Sequence, residues 1–80
     1  MSKSPNQKLK LLYLMKILLE RTDETHSITM PEIIEALAAY GVSAERKSIY
    51  NDIENLRLYG LDVIGAQEDR TYHYHIGKSH

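Results

Sequence analysis

The chain contains no cysteine. That excludes disulfide staples and thiolate metal sites, and it fits a reducing compartment. No apolar run approaches the roughly 20 residues that a helix needs to span a bilayer. The opening MSKSPNQK lacks the apolar h-region and cleavage site of a secretory signal. A cytoplasmic protein is therefore expected. Charge of one sign is also scarce. Bases and acids nearly cancel, at a net charge of −1 and an isoelectric point of about 6.4, whereas nucleic-acid-binding domains are usually basic. A phosphate-binding glycine loop, a nucleophile elbow and a metalloprotease helix are all missing. A chain of 80 residues makes one small domain, which buries only about 60% of its unfolded surface. An enclosed active site has little room there. We expect a single domain over residues 1–80 with an ordered core from about residue 8 to 76. It is not expected to be an enzyme or to hold a cofactor.

What is present is organised around residues 43–60, SAERKSIYNDIENLRLYG. This stretch predicts one helix. Ser43 suits the N-cap, where its hydroxyl would accept from an orphan backbone N–H. Glu45 would complement the positive end of the helix dipole. Ile49, Ile53 and Leu56 recur at i, i+4 and i+7 and form one apolar stripe. Gly60 suits the position just past the end. Opposite the stripe fall Lys47, Tyr50, Asn51 and Glu54, flanked by Ser48 and Arg57. Those groups hydrogen-bond to bases and phosphates. Gly41 and Val42 precede Ser43, after a helix that ends near Tyr40. A helix, a three-residue turn with glycine and a second helix make the helix-turn-helix pattern.

The remaining elements follow in order. Ser4, Pro5 and Gln7 read as a capping box opening the first helix, with a later start near Lys8 also open. Leu11, Leu12, Met15, Leu18 and Leu19 are expected to face the core. Tyr13 and Ile17 fall on the side of Lys10, Lys16 and Glu20. They are covered either by the hairpin wing or the C-terminus, or by a second subunit or a following domain. TDETHSI at 22–28 is a polar loop, with a short strand at Ser27-Ile28. Thr29-Met30-Pro31-Glu32 is a second capping box, and Ile33, Ile34 and Leu37 face the core behind it. Leu61 to Ile64 reads as a strand, Gly65 to Arg70 as a turn and Thr71 to Ile76 as a second strand. In that strand Tyr72, Tyr74 and Ile76 share one face, with His73 and His75 on the other, exposed one. The order predicts an α+β, mostly helical fold: a winged helix-turn-helix of three helices and a C-terminal β-hairpin wing.

Charge is segregated along the chain. Residues 1–21 carry five bases against one acid, residues 22–42 carry four acids, and residues 43–60 balance three against three. A local basic surface is compatible with the neutral total.

The stretch VSAERKSIYNDIENLRLYGLDVI resembles the DNA-binding N-terminus of bacterial WYL-domain transcription regulators, and more broadly DeoR-type winged helices. The shared pattern stands here as Ser43, Glu45-Arg46-Lys47, Ser48-Ile49, Asp52-Ile53 and Leu56. The opening KLKLLYLMKILLERTDETHSIT is similar to that family's first helix and loop. The resemblance covers roughly residues 8–76. Family members normally continue into a ligand-sensing WYL domain, which these residues do not contain. The wing departs from the usual short glycine-rich form.

The resemblance implies a sequence-specific, nucleoid-associated regulator of transcription with double-stranded DNA as partner. In that fold the second helix of the motif enters the major groove. Arg46 and Lys47 would then meet phosphates or a guanine edge, Asn51 an adenine, and Tyr50 and Ser48 a phosphate or a thymine methyl. Asp52 is expected to be structural. Arg57 lies too far along for a base contact. His73 and His75 could share a divalent ion with His80, but zinc favours three or four fixed ligands, so no metal is expected. The alternative function is a winged-helix protein-interaction module.

Overall fold

The computed structural model describes residues 5–77. A 3-10 helix at Pro5–Leu9 leads into α1 (Lys10–Arg21), followed by β1 (Ile28–Thr29), α2 (Met30–Ala39), α3 (Arg46–Tyr59), β2 (Val63–Glu68) and β3 (Thr71–Ile76). The fold is α+β and mostly helical, with the winged-helix layout expected. Ser4 and His80, invoked above as a cap and a third ligand, lie outside the described residues.

Local chemistry sets α2. Glu32 N–H donates to Thr29 Oγ1 at 3.4 Å, and Thr29 N–H donates back to Glu32 Oε1 at 2.9 Å. The capping box is complete. The N–H from Thr29 also holds the Glu32 carboxyl below the usual carboxylate range. At the other end Gly41 takes φ +79°. Its N–H donates to the Ala38 carbonyl, and Val42 N–H donates to the Leu37 carbonyl, both at 2.9 Å. These two bonds form a Schellman motif, and Val42 is fully buried beside it.

The core gathers one face from every element. Leu14, Ile17 and Leu18 of α1 meet Ile33, Ala36 and Leu37 of α2 and Ile49, Ile53 and Leu56 of α3. Each fully buried Leu or Ile contributes about 1.5–3 kcal/mol. The expected facing of α1 is wrong by roughly a third of a turn. Ile17 is 2% exposed and packs inward, while Leu12 at 56% and Leu19 at 52% look out. Leucines lie on most sides of this helix, and the side that carries Lys10, Lys16 and Glu20 also carries the buried Ile17, so periodicity does not choose. Tyr13 stacks on Tyr40, ring centroids 4.4 Å apart. Ile17 is thus taken up by the core, and Tyr13 is half-buried beneath Tyr40.

The sheet is antiparallel in the order β1-β3-β2. β1 is Ile28–Thr29, one residue later than expected, with Ile28 opposite Tyr74 and Thr29 opposite His73. β2 is longer than expected. It runs through Gly65 and Ala66 to Glu68, so the turn shrinks to Asp69-Arg70, with Asp69 at φ +58°. Gly65 pairs with Tyr74 within the strand, and the Tyr72 ring lies over it, where a Cβ would come within 2.6 Å. Tyr74 and Ile76 are buried as the alternation requires. His73 and His75 are half-buried rather than exposed; His73 Nδ1 lies 3.0 Å from Ser27 Oγ.

One buried hydroxyl ties the helices to this sheet. Thr22 Oγ1 donates to the Leu18 carbonyl at 2.8 Å and accepts from Ile76 N–H at 2.9 Å. The near-isosteric Thr22→Val substitution should leave that buried N–H unpaired and cost about 1–3 kcal/mol. Urea unfolding measures this. A loss under about 0.5 kcal/mol, the range of ordinary surface changes, would show that the hydroxyl is dispensable.

Candidate nucleic-acid interface

α3 begins at Arg46, three residues after the expected cap. Glu45 occupies the N-cap position and makes no side-chain capping bond. Ser43 is not a cap because Gln7 engages its backbone. Gln7 Nε2 donates to the Ser43 carbonyl at 2.7 Å, and Ser43 N–H donates to Gln7 Oε1 at 3.3 Å. This side-chain bridge across 36 residues holds the chain extended until Ala44, which packs against the core. The link between the helices is accordingly longer than the three-residue turn anticipated.

Three anchors hold α3 from behind and from its sides. Ile49, Ile53 and Leu56 are buried, as their spacing predicted. Asp52 accepts a charge-assisted bond from Lys10 Nζ, with both side chains largely shielded. Its expected structural role is borne out. Arg57 Nε donates to the Val63 carbonyl at 2.9 Å and Nη1 pairs with Glu54. Arg57 thus joins α3 to β2. At the end of α3, Gly60 has φ +127° and Leu61 N–H donates to the Leu56 carbonyl at 2.9 Å.

The five side chains singled out in the sequence are all exposed, but they do not form one surface. Lys47 and Asn51 are one helical turn apart on the outward side, in line with Glu54. Arg46 and Tyr50 instead line a cleft between α3 and the hairpin. The Ser48 hydroxyl donates to the Glu45 carbonyl at 3.1 Å, so its proton is used within the helix. Arg46, Lys47 and Asn51 have no side-chain hydrogen bond or ion pair among the described residues.

Two residues beside this surface escaped the sequence reading. Arg70 lies in the turn between the strands, as expected, and lines the same cleft. Tyr72 was grouped with the core-facing Tyr74, but the hairpin extends past the core and leaves it half-exposed. The small residue at 65, opposite a run of alternating aromatics, was the available signal. Compared with protein-family models, curated proteins and solved structures, the chain matches none.

Removing Asp52 should test the anchoring. Asp52→Ala leaves the Lys10 ammonium shielded without its partner, and should cost about 1.5–3 kcal/mol, typical of a bond to a charged group. Denaturant unfolding of this variant and of Lys10→Met/Asp52→Leu checks it. The pair is structural if the double variant recovers part of the loss.

Proposed function

We propose that the protein binds double-stranded DNA through the outward side of α3, as the DNA-binding domain of a transcription regulator. The observation that carries this reading is the pair Lys47 and Asn51. Both are exposed and unpartnered on a helix whose other sides are fixed by the core, Lys10 and β2. A rigid helix with free donors on one side suits the major groove, which admits an α-helix. Lys47 supplies a phosphate contact that sets register, and Asn51 a two-bond contact to adenine. Ser48 flanks them. Arg46 and Tyr50 turn toward the hairpin and line the neighbouring cleft. The resemblance to WYL-type regulators points the same way. The net charge of −1 implies modest affinity from a single copy, because one module buries little surface.

A second reading is favoured by a separate observation. Leu12, Leu19, Leu58 and Tyr59 are exposed, Leu58 at 85%. Such residues suit a protein contact, which would make the domain an interaction module. Salt separates the two readings. DNA binding weakens steeply with salt through counterion release, and an apolar protein contact does not.

The test is selection of bound sequences from a random duplex pool, followed by titration of two variants. Asn51→Ala should relax preference at one base position, by roughly 1–3 kcal/mol against the favoured base. Lys47→Ala should weaken binding to all sequences alike and lower the salt slope by about 1. An unchanged motif after the first substitution, or a sequence-dependent loss with an unchanged slope after the second, removes the assigned role.

A further inference from the structure

A second surface lies beside the first and has different chemistry. Two contiguous clefts, of about 490 and 290 Å3, run between α3 and the hairpin and share Tyr50, Tyr72 and Tyr74; the smaller also meets Met30 and Pro31 at the start of α2. Tyr50 comes from the helix wall and Tyr72 from the hairpin wall. They are 46% and 48% exposed, so each ring presents surface to the groove. Tyr74 forms the buried floor and meets Tyr72 edge-on at 5.2 Å between centroids.

The orientation of Tyr72 is built in. Its ring lies over Gly65, where any Cβ would clash with Cε2 at 2.6 Å and with the hydroxyl at 2.7 Å. The residue directly opposite Tyr72 is Gln67, so the ring leans diagonally across the strand to reach the glycine. A fixed, half-exposed aromatic ring is a stacking platform.

The charge of the groove is cationic at one end. Arg46 and Arg70 line it there and have no ion pair among the described residues. At the other end Arg57 is neutralised by Glu54. An aromatic groove with unpaired guanidinium groups suits a polyanion with flat faces. Aspartate and glutamate side chains would pair with the arginines but offer no ring to the tyrosines, and the arginines would repel a quaternary ammonium.

We propose that this groove binds a short segment of single-stranded nucleic acid, with bases stacked on Tyr50 and Tyr72 and the phosphates beside Arg46 and Arg70. The activity is separate from duplex recognition and does not rest on it. Stacking accepts every base because each has a π-face, so sequence preference is slight. Two phosphate contacts give a salt slope of about −1.4 for a single strand.

The experiment uses fluorescein-labelled hexathymidylate and a random-sequence duplex, titrated by anisotropy at low salt. Intrinsic fluorescence gives a second readout, since the chain has six tyrosines and no tryptophan and stacking quenches tyrosine. Wild type should bind the hexamer with quenching. Tyr72→Ala should weaken hexamer binding by about ten-fold or more while duplex binding holds. Tyr72→Phe keeps the ring and should keep the affinity. Lys47→Ala should leave hexamer binding unchanged even where it lowers duplex affinity. Arg46→Gln/Arg70→Gln should flatten the salt slope, and it serves if Tyr72→Ala is misfolded by circular dichroism. The proposal is overturned if wild type does not bind the hexamer, or if Tyr72→Ala weakens duplex and hexamer equally. Equal affinity for thymidine monophosphate and the hexamer would also overturn it, since the groove would then hold one nucleotide rather than a strand.

Discussion

A single hydroxyl joins the two halves of this fold. Thr22 ends α1 by turning its Oγ1 proton onto Leu18 and takes the Ile76 N–H with its lone pair. It is the one buried polar side chain among the described residues. With both hydrogen-bonding roles filled, neither helix end nor strand leaves an orphan group in the core. That bond fastens the C-terminal end of β3 to the end of α1, and β3 pairs with β2 along the hairpin. The hairpin in turn forms one wall of the aromatic groove. A bond far from every proposed contact surface thus helps to place one of them.

The helix that would do the reading is constrained by different physics. Its buried stripe fixes rotation about its axis, and Lys10 and Val63 hold it from the two sides. What remains for a partner is a narrow outward strip and a groove. These separate the cations of α3 into distinct functions. Lys47 stands outward, Arg46 turns to the groove, and Arg57 is consumed by structure. Arg46 and Lys47, adjacent in sequence, thus face different ways in the fold.

Where chemistry was local, the sequence was readable. The capping box at Thr29 and Glu32, the Gly41-Val42 helix end, the Ile49-Ile53-Leu56 stripe and the burial of Tyr74 and Ile76 all depend on residues close in the chain. Asp52 was legible because a carboxylate beside an apolar stripe needs a donor. Where a distant residue intervened, reading failed. Ser43 had every local property of a cap, but Gln7 claims its backbone. Gly65 and Ala66 looked like a turn, but they pair with Tyr74 and His73 of the opposite strand, and the Tyr72 ring fills the place of the missing Cβ. For α1 the reason differs: leucine on nearly all sides gives no contrast, and only the positions of α2 and α3 decide which leucines are buried. The five candidate contact residues were rightly read as exposed. Their division between strip and groove depends on the hairpin, which no helix periodicity contains.

The strand order also bears on how copies of the chain meet one another. β3 is central, β1 covers its far side for two residues, and β2 is left at the edge. A bare edge invites a neighbouring molecule to add a strand, which is how folded proteins begin to aggregate. Here Arg57 occupies the Val63 carbonyl at one end of β2 and Glu68 places a carboxylate at the other. Gly65 weakens the stretch between them as a template. The residue that fastens α3 to the sheet thus also blocks the edge along which the sheet could otherwise grow into its neighbours.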